Sequence, residues 1–192
     1  CNHFHVSVQS GCDETLRRMN RKYTTEECFR CIENLRNNFD NPAITADVIA
    51  GFPGETEEEF METYNFIRDH KFSELHVFPF SKRTGTPAAR MEDQVDEDVK
   101  NERVHRLIAL NDQLAKEYAS RFEGDVLEVI PEERFKESEN ENLYVGYTAN
   151  YLKILFEAKE EMIGKLVKVK ITKAGYPYNE GQFVRVLDTV EA

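Results

Sequence analysis

The sequence predicts an α/β segment on parallel strands, part of a larger barrel, followed by a small all-β barrel. Three observations carry this prediction. Short strands alternate with helices at the start of the chain, a long charged helix breaks that rhythm, and a run of closely spaced short strands fills the remainder.

The residues from His3 to Val8 alternate as a half-buried strand does and end at the polar, glycine-containing break Gln9-Ser10-Gly11. Thr24 with Glu27 forms a capping box, and Cys28, Cys31, Ile32, Leu35 and Phe39 recur on one helical face. That helix should stop near Asn38, where Asn-Asn-Phe-Asp-Asn-Pro follows. A second strand, Ile44 to Ala50, closes on Gly51-Phe52-Pro53-Gly54. Thr56 and Glu59 then cap a helix that turns Phe60, Tyr64 and Ile67 inward. Leu75 to Phe80 is the third strand. Strands separated by helices of this length imply right-handed crossovers and a parallel sheet, but three strands cannot close a barrel.

A long helix is expected from about Asp93 to Phe122, with Val104, Leu107, Leu114 and Tyr118 on one side. Gly124 ends it and sets the predicted boundary between a domain of residues 1–122 and one of 123–192. Five strands follow, Val126–Ile130, Leu143–Thr148, Tyr151–Phe156, Leu166–Thr172 and Phe183–Leu187, read as antiparallel and closing into a barrel resembling an OB-fold.

Composition excludes several classes. With 40% hydrophobic and 32% charged residues the chain is an ordinary globular one, and no apolar run approaches the roughly 20 residues of a membrane-spanning helix. A soluble, cytoplasmic protein is expected. The net charge of −11 argues against broad electrostatic capture of nucleic acid, so any RNA contact must be local. The chain opens on Cys1, already inside a strand, and reads as a piece of a longer protein.

In parallel α/β architectures ligands sit at the carboxyl ends of the strands. Three segments end there: Ser7 to Gly11, Gly51 to Glu55, and Pro79 to Arg83. Gly51 and Gly54 would let the backbone approach a ligand, while Ser7, Gln9 and Ser10 can hydrogen-bond a ribose or an amino-acid end. The same segments also read simply as a turn and a loop.

Residues 3 to 23 (HFHVSVQSGCDETLRRMNRKY), 44 to 56 (ITADVIAGFPGET) and 76 to 89 (HVFPFSKRTGTPAA) closely resemble, in this order, the radical S-adenosylmethionine (SAM) methylthiotransferases. Met19 to Tyr23 and His76 to Ser81 are most similar to the branch acting on N6-threonylcarbamoyladenosine in tRNA. The resemblance implies the C-terminal half of a radical SAM barrel, then a TRAM-type RNA-binding barrel over Arg121 to Ala192. It implies SAM and 4Fe-4S clusters as cofactors of the full-length enzyme, whose Cys-x3-Cys-x2-Cys loop does not occur in this sequence. This chain alone should therefore be inactive. By the same resemblance Ser7, Gln9 and Arg21 are candidates for the SAM carboxylate and ribose, Ile49 and Gly51 for packing of the adenine, and Phe80 for the cavity wall. The implied partners are the anticodon region of tRNA and the N-terminal half of the same protein. The reaction is attachment of a methylthio group at C2 of the adenine, the demanding chemistry belonging to clusters and SAM.

Other motifs have plainer readings. Cys28 and Cys31 share a helix face with Ile32 and Leu35, and zinc would need two more ligands, so both read as buried structural thiols. Cys1 and Cys12 lie near the predicted rim without a ligand role. His3 and His5 alternate on one strand with no carboxylate partner in view and read as packing residues. The acidic run Glu55 to Glu59 suits a helix N-terminus. In the second domain Lys168 and Lys170 face away from Val167, Val169 and Ile171. Together with Lys165, Lys173 and Tyr147 they form a candidate RNA-binding set, with Tyr144, Tyr151, Tyr176 and Tyr178 near in sequence. Outward lysines equally suit a solvated face. Rival functions are an isopentenyladenosine or ribosomal-protein methylthiotransferase, and a non-catalytic RNA-binding module.

Overall fold

The computed structural model describes residues 1–136, 140 and 142–187. The chain divides into two compact units, Phe4–Leu114 and Cys1–His3 with Ala115–Ala192. In the first run β1 (His3–Gln9), α1 (Asp13–Arg18), α2 (Thr25–Asn38), β2 (Ala43–Ala50), α3 (Glu57–Asp69), β3 (Glu74–Pro79) and a 3₁₀ turn at Ala88–Arg90. Helix α4 (Glu97–Ser120) begins in this unit.

The three strands lie in the order β1-β2-β3, and β2 pairs with β3 in parallel from Thr45 opposite Glu74 to Ala50 opposite Pro79. Strand periodicity divides β2 between two faces. Ile44, Ala46, Val48 and Ala50 join Val8 and Leu75 in a core closed by Ile32 of α2, Phe60 and Ile67 of α3, and Leu107, Leu110 and Leu114 of α4. Burying a side chain of this size contributes about 1.5–3 kcal/mol. Thr45, Asp47 and Ile49 fall on the opposite face, where Thr45 is buried and Asp47 and Ile49 are half-buried.

Both expected capping boxes form: the Thr24 and Thr56 hydroxyls accept from the backbone N–H of Glu27 and Glu59, whose carboxylates accept from the capping residues. Two details of α2 differ from the sequence reading. Cys31 is exposed, and Phe39 is 41% exposed because the helix ends one residue before it. Helix α1 was not anticipated, since six residues are too few for a periodic signal; its acidic first turn (Asp13, Glu14) and basic last turn (Arg17, Arg18) suit the helix dipole.

The second unit holds β4 (Val126–Arg134), β5 (Leu143–Thr148), β6 (Lys153–Glu157), β7 (Val167–Lys173) and β8 (Asn179–Val186), closed in the order β4-β5-β6-β8-β7. The expectation of a purely antiparallel barrel is corrected here: β6 and β8 run parallel. Strand directions cannot alternate all the way round a ring of five, so one neighbouring pair must be parallel. Inside lie Val129, Tyr144, Ile154, Phe156, Val167, Val169 and Ile171, all at most 1% exposed. Buried Tyr144 donates to the carbonyl of Glu160 at 3.1 Å. The tail at 188–192, assigned to this barrel from sequence, lies outside the described residues.

Ile154 of β6 is fully buried, so Ile154→Ala should lower stability by about 2–5 kcal/mol through the cavity it leaves. Urea unfolding followed by circular dichroism measures it, and an unchanged midpoint would contradict this packing.

Candidate functional site

A cleft of about 530 Å³ opens at the carboxyl ends of the strands, lined by Gln9, Asp47, Ile49, Phe78, Phe80 and Arg83 among others. That is within the size range of small-molecule pockets. Its chemistry is mixed: a buried amide on β1, an aliphatic and an aromatic side chain opposite each other in the register (Ile49 and Phe78), and the hydroxyls of Ser81 and Thr86 beside a guanidinium. Phe80 meets Phe52 edge-on with ring centres 5.2 Å apart, which fixes the wall.

The loops around this cleft are held from behind. Gln9 ends β1 at φ 65°, a left-handed conformation unusual for a non-glycine residue, and its side chain is turned into the cleft wall at 7% exposure. The next residues are fastened to α3: the Ser10 and Thr63 hydroxyls are 2.9 Å apart, and the Gly11 N–H donates to Thr63 at 3.0 Å. Ser10, expected to face a ligand, is committed to this anchor instead. Tyr23 donates its hydroxyl to the carbonyl of Ser7 at 2.6 Å.

The turn after β2 is tied to α4. Glu55 accepts from the Gly51 N–H at 2.9 Å and from Arg103 at 2.8 Å, while Arg103 also donates to the Glu55 carbonyl. Both charged side chains are almost fully buried, at 2% and 4% exposure. Burial pushes the Glu55 carboxyl up, against the opposing pull of the Gly51 N–H and Arg103. Lys100, also buried, pairs with Glu97 and reaches the carbonyl of Phe80. Gly51 sits at φ 74°, and a β-carbon there would come within 2.1 Å of the Lys100 side chain. Its smallness therefore admits α4, not a ligand. Gly54, at φ 78°, leaves room in the same way for Arg18.

Of the residues singled out in sequence, the cleft brings together Gln9, Ile49 and Phe80. Ser7 lies two residues before Gln9 on β1 and is exposed, Gly51 lies buried behind the rim, and Arg21 is exposed and outside the lining. Arg83 ends the third segment expected at the rim, whereas sequence reasoning missed Asp47, Phe78 and Thr86. Period-two alternation from Ile49 would have pointed to Asp47, and from Phe80 to Phe78. The reading of His5 as lacking a carboxylate partner is also corrected: its Nε2 stands 3.4 Å from Asp47 and its Nδ1 3.0 Å from the Thr45 hydroxyl. That pairing joins residues more than forty apart and is invisible to local pattern.

On the barrel, Lys168 and Lys170 point outward from β7, opposite Glu128 and Val126 of β4 and Arg185 and Gln182 of β8. Lys173 is paired with Glu180 at 2.8 Å, and Lys165 is exposed in the turn before β7. Tyr147 lies on β5, two strands from β7 across β4.

Residues 1–67 match the Radical SAM superfamily and residues 120–186 the TRAM domain. A match to the Radical SAM superfamily is thus followed along the chain by a match to the TRAM domain. It is 70% identical to the threonylcarbamoyladenosine tRNA methylthiotransferase MtaB of Bacillus subtilis (strain 168), covering 97% of this chain and 42% of that protein. It is 42% identical to a tRNA-2-methylthio-N(6)-dimethylallyladenosine synthase of Acetivibrio thermocellus, covering 96% of this chain and 38% of that protein. The chain thus spans about two-fifths of the length of these curated relatives. In structure it is similar to the radical SAM enzyme coproporphyrinogen III oxidase of Escherichia coli, with a TM-score of 0.52 at 18% identity, over 89% of this chain and 41% of that one. At that identity the likeness concerns the fold.

The cleft of the first unit fits SAM by its donor set: Ile49 and Phe78 offer apolar surface for a purine, and Gln9, Ser81 and Arg83 offer partners for a ribose and a carboxylate, while the Thr86 hydroxyl is held by the Arg83 carbonyl. Among the described residues no group of three or more His, Cys, Asp or Glu could hold a metal, and no helix is long and apolar enough to cross a membrane. Burial raises the Cys28 thiol to about 11, which keeps it protonated.

Two predictions follow from how the radical SAM segment holds its cleft. Arg103→Ala leaves the Glu55 charge buried without its partner and should cost about 3–5 kcal/mol in denaturant unfolding. Arg18 grips both carboxylate oxygens of Glu59, at 2.9 and 2.5 Å, and that hydrogen bond holds the Glu59 carboxyl below its ordinary value of 4.5. A carboxyl lowered by folding lends stability above its unfolded pKa and loses it as pH falls through the folded one. Stability should therefore drop less steeply below about pH 5 in Arg18→Met than in the wild type; parallel curves for the two proteins would mean the pair contributes nothing.

Proposed function

We propose that this chain is the C-terminal part of a tRNA methylthiotransferase that adds a methylthio group to C2 of N6-threonylcarbamoyladenosine beside the anticodon. In this reading residues 1–122 complete a radical SAM barrel with its trailing helix and residues 123–192 form the TRAM domain. The observation that carries it is the 70% identity to the threonylcarbamoyladenosine enzyme, against 42% to a dimethylallyladenosine synthase. The partners are the anticodon region of tRNA and the remaining, N-terminal part of the same protein, and the setting is the cytoplasm, where tRNA is modified.

Bound in the cleft, SAM would supply a 5′-deoxyadenosyl radical once cleaved by a reduced 4Fe-4S cluster held elsewhere in the full-length protein. The work of this chain's residues is positional. Ile49, Phe78 and Phe80 pack the adenine, and Gly51 shapes the turn behind it. Gln9, Ser81 and Arg83 serve the ribose and carboxylate in place of Ser7 and Arg21, which stand outside the lining, and α4 keeps the rim from shifting through Arg103 and Lys100. Lys165, Lys168, Lys170, Lys173 and Tyr147 serve the RNA.

The test is mass spectrometry of tRNA nucleosides from a host lacking methylthiotransferases, with and without the full-length parent gene. Appearance of 2-methylthio-N6-threonylcarbamoyladenosine is the expected result. Appearance of 2-methylthio-isopentenyladenosine alone would overturn the substrate. Absence of any thiomethylated nucleoside from a cluster-loaded enzyme would overturn the reaction in favour of ribosomal protein as substrate or a binding module. Within the cleft, Gln9→Ala in the full-length enzyme should weaken SAM binding by about tenfold, the worth of one or two hydrogen bonds, as read by equilibrium binding.

A further inference from the structure

The pairing of β7 with β8 carries an irregularity that decides which side chains meet there. Val169 stands opposite Phe183, but its neighbour Lys168 stands opposite Arg185, and Val167 opposite Val186. Val184 is therefore an extra residue on β8, left out of the pairing and 48% exposed. A bulge of this kind interrupts the ladder and re-aims the side chains beyond it. Without the extra residue, Val184 would face Lys168 and Arg185 would fall opposite Val167, whose side chain is buried inside the barrel. The bulge thus turns a guanidinium outward, onto the face that already carries Lys168.

That placement is unfavourable to the barrel by itself, because like charges directly opposite on paired strands destabilise a sheet. Lys170 lies two residues along β7 on the same face, so the three cations form one cluster. Gln182 stands opposite Lys170, and Glu128 of β4 stands on the other side of Lys168. Among the described residues none of the three cations makes an ion pair. Other cations on the strands of this barrel do find carboxylates: Lys173 is held by Glu180 and Arg134 by Glu161, each at 2.8 Å. A bulge that assembles uncompensated positive charge in a chain of net charge −11 fits an anion brought from outside. The planar guanidinium can grip two phosphate oxygens at once, and the ammonium groups add charge beside it.

We infer that Lys168, Lys170 and Arg185 form a phosphate site that holds the backbone of bound RNA, completed by the bulge at Val184. The inference rests on the reading of the barrel as an RNA binder. It deepens that reading by adding Arg185, which no local sequence pattern marks, and by making the β7–β8 pair the place of backbone contact. Such contacts fix the position of the RNA without reading its bases, and they act only at close range, since salt screens exposed charges beyond about 10 Å. Glu128, directly across from Lys168, opposes the site and limits its affinity.

The experiment is fluorescence anisotropy of a labelled RNA stem–loop titrated with this 192-residue chain at several salt concentrations, beside urea unfolding of the same variants. Arg185→Gln should weaken binding about tenfold at low salt and flatten the slope of log affinity against log salt by about one unit. Arg185→Glu puts an opposite charge across from Lys168, so its unfolding midpoint should move to higher urea while its RNA affinity falls below that of Arg185→Gln. Stability and binding moving in opposite directions is the signature of an anion site; an arginine that serves only the fold would lose both. Glu128→Gln, which removes the facing carboxylate, should tighten binding roughly two- to threefold. If the wild type does not bind the RNA, the RNA reading of the barrel falls and this inference with it. If the wild type binds and Arg185→Gln binds as tightly with the same salt slope, the phosphate site is overturned and the RNA reading stands. A lower unfolding midpoint in Arg185→Glu would also overturn the site, since the arginine would then be serving the fold.

Discussion

The cleft depends above all on one buried ion pair. Glu55 and Arg103 give up nearly all their hydration, and the hydrogen bonds between them offset that loss although the buried Arg103 Nε has no hydrogen-bond partner. Glu55 also accepts the Gly51 N–H, and Arg103 also holds the Glu55 carbonyl, so the turn after β2 is bonded to α4 through both backbone and side chain. A hydrophobic contact of similar area would hold the helix against the sheet but would not set the turn. The pair sets it, and with it the end of the strand that carries Ile49 and Asp47 into the cleft. Lys100, one helical turn earlier on α4, extends the same control to the end of β3 through the Phe80 carbonyl. A second anchor acts from the other side, where α3 holds Ser10 and Gly11 through Thr63.

These anchors explain which residue types were legible in the sequence. Thr24 with Glu27 and Thr56 with Glu59 announce their helices because a cap is a contact over three residues. Val167, Val169 and Ile171 announce a barrel strand because the pleat alternates every two. The reach of such signals ends where the chain folds back on itself. Ser10 looks like a ligand donor until Thr63, fifty-three residues later, claims it. Gly51 looks like a ligand-hugging glycine until Lys100 is seen to fill the space beside it. His5 looks unpartnered until Asp47 arrives on the neighbouring strand.

The missed helix α1 marks a lower limit of another kind. Six residues complete fewer than two turns, so hydrophobic recurrence has no room to show, and only the acidic-to-basic order of Asp13-Glu14 and Arg17-Arg18 marks it. Yet α1 carries Arg18, the partner of Glu59, and so ties the loop after β1 to α3.

The two units solve different versions of one problem, presenting a hydrogen-bonded sheet to a ligand. The three-stranded sheet covers one face with helices and leaves Asp47, Ile49 and Phe78 on the other, so its ligand surface is a strand end with specific polar groups, suited to one small molecule. In the barrel the apolar residues point inward, and the outside of the pleat forms much of its surface. With a net charge of −11 the chain cannot rely on long-range attraction to hold RNA, since screening confines each lysine to its neighbourhood. Specific recognition would then have to come from contacts that survive close approach, which exposed apolar side chains of the barrel such as Ile130 and Tyr151 can make without depending on net charge.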